Sequence, residues 1–253
     1  FREEDPENHA LDFKTELFEI LMATINGRQL RYELKYFITE GEYVVLRDRL
    51  LAAMPLDDNA RDDTRGYHIR SLYFDDIYNT AMWEKQDGVM VRKKFRIRIY
   101  NLQDHSIKLE KKMKFDQMTA KASTGLSRKM CDAILQNDWQ SIRLGKSELI
   151  DELYADMRTR LLKPVVIVDY HREAYTYQAG NVRVTFDRFL HSGQFSTDLF
   201  SGHVSTVPIL PPGMMILEVK YDNYLPPHIQ GILSSIKATR SAISKYALCR
   251  RFH

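Results

Sequence analysis

Between Val91 and Tyr100 the chain sets Arg92, Lys94, Arg96 and Arg98 on alternate positions, with Phe95, Ile97 and Ile99 between them. A strand sends successive side chains to opposite faces, so the four cations would share one face at intervals of roughly 6.6–6.8 Å. The alternation recurs over 107–115, where Lys108, Glu110, Lys112 and Lys114 oppose Ile107, Leu109, Met113 and Phe115. It recurs again over 30–38, with Arg31, Glu33 and Lys35 against Leu30, Tyr32, Leu34, Tyr36 and Ile38. A wet sheet face accounts for such a pattern in any one strand. Three together concentrate like charge, which is costly unless an anionic ligand or interspersed carboxylates offset it. Glu33 and Glu110 are too few to neutralise the set, so this face expects an anion.

The whole chain carries a net charge of only +3 over 253 residues. The basic strands are therefore a local concentration, which suits a compact polyanion in a defined site better than a long nucleic-acid duplex. Neither a named RNA-binding motif nor a Gly-rich basic tail is present, and nucleic acid is not the expected partner. Cys131 and Cys249 show neither disulfide scaffolding nor metal-ligand spacing and read as idle thiols of a reducing compartment. The histidines, including His68, His105, His171 and His228, show no metal spacing either. No apolar run approaches the ~18 residues needed to span a bilayer, and no signal-peptide pattern opens the chain, so a cytoplasmic setting is the default. Residues 1–24 are read as an N-terminal extension or linker and 25–253 as one domain.

Strand patterns fall at 29–38, 66–75, 91–100, 106–115, 117–123, 164–177, 181–188 and 214–222. Helical patterns fall at 77–86, 126–136, 149–162, 228–236 and 240–250, and Thr39 with Glu42 forms a capping box that opens another. The Ser-, Thr-, Gly- and Pro-bearing stretch 191–212 reads as a long loop. Strands interrupted by helices predict an α+β fold, and eight strands suffice to close an antiparallel β-barrel that holds one elongated ligand. Closure explains the charge pattern if the apolar faces pack outward against helices and the charged faces line a wet bore. Tyr67, Tyr73, Tyr175 and Tyr177 are read as core and wall residues, and Trp83 and Trp139 as helix-packing residues.

Further strands extend the polar set: Tyr170 and Arg172 share a face, as do Arg183, Thr185 and Asp187, and Glu218 and Lys220. The stretches RYELKYFI, RIRIY, LEKKMK, YHREAY, VRVTFD, ILEVKY and SAISKY, in this order over 29–252, resemble the polyphosphate polymerase domain of the vacuolar transporter chaperone (VTC) family. That family belongs to the triphosphate tunnel metalloenzymes. The resemblance implies a basic tunnel closed at one end by a C-terminal helix. It implies that Lys35, Arg96, Arg98, Lys112, Arg172, Arg183 and Lys245 engage phosphates, that Lys121 and Tyr170 belong to the tunnel, and that Glu218 holds a metal. Arg31, Lys94 and Lys220 are added as substrate-binding residues, and Glu33 and Glu110 as assistants to Glu218. The first strand reads Arg31-x-Glu33-x-Lys35, where many tunnel hydrolases and class IV adenylyl cyclases have two glutamates before the lysine. One carboxylate fewer makes the tunnel more basic and favours the polymerase branch.

The expected activity is transfer of the ATP γ-phosphoryl group to a growing inorganic polyphosphate chain, with Mn²⁺ or Mg²⁺ as cofactor. The alternatives are a tunnel triphosphatase, with water as acceptor, and a non-catalytic module that binds polyphosphate or inositol phosphates. Any membrane coupling would come through a separate partner.

Overall fold

The computed structural model describes residues 30–57, 66–115, 118–142, 144–193 and 196–251. The N-terminal extension read from the sequence lies outside the described residues. Strands β1 (Arg31–Thr39), β2 (Tyr67–Asp75), β3 (Val91–Tyr100), β4 (Gln103–Phe115), β5 (Met118–Leu126), β6 (Lys163–Tyr177), β7 (Val182–Gly193), β8 (Val207–Pro208) and β9 (Met214–Tyr221) make one antiparallel sheet. Its order is β6-β2-β3-β4-β5-β1-β9-β7-β8, and β6 also pairs with β7. That last pairing closes a ring of eight strands and leaves the two-residue β8 outside it. The ring is uneven: β1 and β9 pair from Tyr32 to Thr39, whereas β1 and β5 meet only at Arg31↔Thr119 and Tyr32↔Met118.

The apolar faces point outward, as the alternation requires. Phe95, Ile97, Ile99, Ile107 and Leu109 pack under α3 (Arg128–Gln136) and α4 (Glu148–Thr159), against Cys131, Ile134, Leu149, Leu153 and Met157. On the far side Ile38, Val184, Phe186, Leu217 and Val219 pack against Tyr43, Leu46 and Leu50 of α1 (Glu40–Ala53) and Ile229 of α5 (Pro227–Leu233). The capping box read from the sequence starts α1: the Glu42 carboxylate accepts from the Thr39 backbone N–H at 2.8 Å, and the Thr39 hydroxyl accepts from the Glu42 N–H at 3.3 Å. Asn101 and Leu102, with φ of 50° and 57°, form the two-residue turn between β3 and β4, the left-handed geometry that matches strand twist in tight hairpins.

Several boundaries differ from the sequence reading. α2 (Thr80–Gln86) begins only after Asn79 turns through a left-handed φ of 56°, not at 77. α6 covers Lys245–Arg250 alone; residues 241–244 are not helical, and Arg240 bridges Tyr36 of β1, beside which the Ser241 N–H donates to the Lys35 carbonyl at 2.9 Å. Part of the stretch read as a loop after 191 is strand, because β7 continues to Gly193 and pairs with β8. Trp139 packs edge-on against Tyr154, but Trp83 is 55% exposed and buries little.

A cation-lined bore as the candidate functional site

The inward faces enclose a cavity of about 440 Å³, to which every strand of the ring contributes. Its wall includes Arg31, Glu33 and Lys35 from β1, Lys94, Arg96 and Arg98 from β3, Lys112 from β4 and Lys121 from β5. Tyr170 and Arg172 from β6, Arg183 from β7, Glu218 and Lys220 from β9 and Lys245 from α6 complete the set. All the predicted phosphate-binding residues thus converge on one space. Register explains how, since Lys94 lies opposite Lys112, Lys112 opposite Lys121, Lys35 opposite Glu218, and Lys220 opposite both Glu33 and Arg183.

Like charges this close need intervening carboxylates, and four are present rather than the two counted along the basic strands. Glu33 accepts from Lys112 at 2.7 Å and lies 3.2 Å from Lys35 and 3.7 Å from Lys220. Glu218 lies 2.5 Å from Lys220, 3.4 Å from Lys245 and 3.8 Å from Lys35. Asp187, fully buried, takes both prongs of the Arg172 guanidinium at 2.6 and 2.7 Å and meets Lys245 at 2.5 Å. Glu110 stands apart from these, bound to Arg96 at 2.6 Å and Lys121 at 2.9 Å with Arg98 at 3.7 Å. Glu33 and Glu218 share Lys35 and Lys220 as neighbours; Glu110 shares no cation with either. Among the described residues no group of three or more acidic, His or Cys side chains is placed to hold a metal ion. Glu33 and Glu218, the two carboxylates that line the bore, are oxygen donors of the kind a hard divalent cation takes, and each is met by lysines as it stands.

Burial pushes all four carboxyls upward, and the adjacent cations outweigh it, holding each below the usual carboxylate range. The lysines divide. Lys245 is held above its ordinary value, since Asp187 and Glu218 overcome burial, and Lys35 is raised by Glu33 and Glu218. Burial, then Lys112 and Lys35, push Lys94 well down. Lys112 is lowered to about 7, with burial opposed by Glu33 and reinforced by Lys35. A lysine so lowered is neutral above that value and charged below it. In the absence of divalent cation, tripolyphosphate is therefore expected to bind more tightly as pH falls from about 8 to about 6, around the Lys112 value. Titration calorimetry should show more protons taken up on binding in that window by the wild type than by Lys112→Met, the ligand's own protonation being common to both; equal uptake by the two would refute the assignment.

The C-terminal segment forms part of the wall of the bore and of the hollow beside Lys35, Lys94 and Lys112. Ser244 caps α6 by accepting from the Ala247 N–H at 3.3 Å, and also lies 3.3 Å from the Lys94 ammonium. Lys35 donates to the Ile243 carbonyl at 3.1 Å. The helix is anchored outside the bore by hydrogen bonds from Tyr246 to Asp75 and from Arg250 to Asn79. Lys245 is thus a buried bore residue rather than a surface lysine.

The sequence reading missed Asp187 as a site residue, although it shares its strand parity with Arg183 and Thr185. Tyr67 and Tyr73, read as core and wall residues, do belong to a buried cluster, and their hydroxyls also face the bore, where Tyr67 accepts from Arg183 at 3.0 Å and Tyr73 from Arg96 at 2.8 Å. Tyr175 does sit in the outer core, its hydroxyl bound to Glu173.

No curated protein matches the chain in sequence. Solved structures that resemble it include a Pyrococcus horikoshii protein, at 13% identity and a TM-score of 0.47 over 88% of this chain and 99% of that one. A candidate adenylate cyclase from Vibrio parahaemolyticus matches at 9% identity and a TM-score of 0.49 over 87% and 98%. The Mimivirus capping enzyme triphosphatase matches at 13% identity and a TM-score of 0.39 over 87% and 92%. The model of the VTC domain matches residues 30–252, from the first strand through the helix that carries Lys245. The chain belongs to the VTC domain family.

Proposed function

We propose that the bore binds the triphosphate of ATP and transfers its γ-phosphoryl group to the end of an inorganic polyphosphate chain. The observation that carries this reading is the shape of the cationic space. The bore runs into a hollow at either end, sharing Lys35, Lys94 and Lys112 with one and Arg31 and Arg183 with the other. A linear polyanion can lie through such a passage, whereas a site for one small triphosphate needs only a closed pocket.

Arg96, Arg98, Arg172 and Arg183 would grip phosphate oxygens with planar forks that stay charged at any working pH. Lys35, Lys112 and Lys245 would act as point charges on the same oxygens. Glu33 and Glu218 would hold a divalent cation, Mn²⁺ or Mg²⁺, whose charge would offset that of the phosphates. A terminal oxygen of the chain attacks the γ-phosphorus, the bond from that phosphorus to the β–γ bridging oxygen breaks, and ADP leaves with the electron pair. The attacking oxygen is already anionic at neutral pH, so no general base is required; positioning and charge neutralisation suffice.

Incubation of the purified chain with ATP and Mn²⁺, followed by phosphorus NMR and gel analysis, tests the reading. Phosphoanhydride chains and ADP are expected, while orthophosphate as the sole new phosphate would convert the reading to a triphosphatase. Among the described residues no helix is long and apolar enough to cross a membrane.

A further inference from the structure

Ion pairing is distributed unequally along the passage. Inside the bore Lys35, Lys112, Lys121, Lys220 and Lys245 each meet a carboxylate. At the end walled by Arg31 and Arg183 both arginines are also matched, to Asp222 at 2.8 Å and Asp57 at 2.9 Å. The other end is different. There α2, β3 and β4 bring Lys85, Arg92 and Lys114 to the rim of a hollow of about 340 Å³ that opens from Lys35, Lys94 and Lys112. None of the three forms an ion pair with a described residue, although each is half-buried. Lys85 feels Arg92 and Lys35, and Lys114 feels Arg92 and Lys35 ahead of Glu33, while Arg92 itself feels Glu84. Arg240 lines the same hollow, and its only acidic wall residue, Glu33, is already engaged by Lys112.

Three half-buried cations with no carboxylate in ion-pair range repel one another, and a bound anion removes that cost. We propose that Lys85, Arg92 and Lys114 form a second phosphate subsite at this mouth, which holds the outer phosphates of a linear polyphosphate whose inner end lies in the bore. The proposal rests on the reading that the bore binds phosphate chains, and it assigns this mouth to the polymer. The nucleoside end of ATP then belongs at the opposite mouth, where the arginines are neutralised and Tyr67 donates no net charge.

Consequently, chain length should matter here and not in the bore. The test compares tripolyphosphate with long-chain polyphosphate by calorimetry, using the full chain, its Lys85→Ala/Arg92→Ala/Lys114→Ala variant and a control, Lys129→Ala/Lys146→Ala/Lys237→Ala. The control removes the same formal charge from exposed outer positions. Loss of three partly exposed charge contacts is expected to weaken long-chain binding by roughly tenfold. Tripolyphosphate binding should change little, and the control should leave both nearly intact. Equal losses for the two ligands, an equal loss in the control, or no loss at all would overturn the subsite. If the wild type binds neither ligand, the polyphosphate reading fails with it. If binding behaves as expected but ATP yields no polymer, the subsite stands and the polymerase reading alone falls.

Discussion

Glu218→Gln is expected to lower ATP turnover by about a hundredfold to a thousandfold, the range seen when one preorganised charge is lost from a reacting centre. The same change should leave tripolyphosphate binding intact or tighten it, because it removes a negative charge that faces Lys35, Lys220 and Lys245. Binding and turnover would thus move in opposite directions. The glutamine keeps the shape of the side chain, so a melting curve recorded in parallel should remain near that of the wild type. Steady-state kinetics with Mn²⁺ titrated at each ATP concentration would separate the two effects. Unchanged turnover would remove Glu218 from the reaction, and a parallel loss of binding would show that its role is to hold the lysines in place.

Asp187→Ala should be the most damaging single change to stability. The carboxylate is fully buried and takes both prongs of Arg172 and the ammonium of Lys245, which are themselves almost entirely enclosed. Removing it leaves an unpaired guanidinium between β6 and β7, the two strands whose pairing closes the ring. Breaking a buried pair in this way costs about 3–5 kcal/mol. Urea denaturation followed by circular dichroism measures that loss. Asp187→Leu combined with Arg172→Met should recover most of it, since replacing both partners with apolar groups removes the stranded charge. A loss under about 1 kcal/mol, the range of exposed pairs, would mean that water reaches Arg172 and that this part of the bore is wetter than its geometry implies.

The ring and its cation-lined interior were legible because strand parity is a local code. In β3 the inward positions 94, 96 and 98 and the outward positions 95, 97 and 99 follow directly from alternation. The same parity in β7 carries Asp187 beside Thr185 and Arg183, but nothing along that strand shows that a guanidinium from β6 lies opposite it. That fact belongs to register between strands, which the sequence does not display. Register also separates Glu110 from Glu33: both share a strand face with lysines, yet their cationic neighbours differ. The tyrosines were read correctly as wall residues, but their polar role was hidden for another reason. Tyr67 and Tyr73 have apolar rings suited to a wall, and only their hydroxyls, aimed at Arg183 and Arg96, make them part of the polar interior. The short α6 was overextended because residues 240–244 carry helix-compatible side chains while their backbone is recruited by the edge of β1.

Closure of the ring constrains exchange as well as charge. A linear molecule lying through eight mutually hydrogen-bonded strands would be held topologically, like an axle in a wheel, and while the ring stays closed would depart by sliding lengthwise. On the proposed reading each phosphate that moves past a guanidinium would meet the next before release, so escape would slow as the threaded length grows, even at modest affinity per phosphate. The lateral alternative is the β1–β5 seam, held by two residue pairs where β1 and β9 share eight. Amide exchange at Arg31, Tyr32, Met118 and Thr119 would report how often that seam parts, and with it whether a captured chain ever leaves sideways.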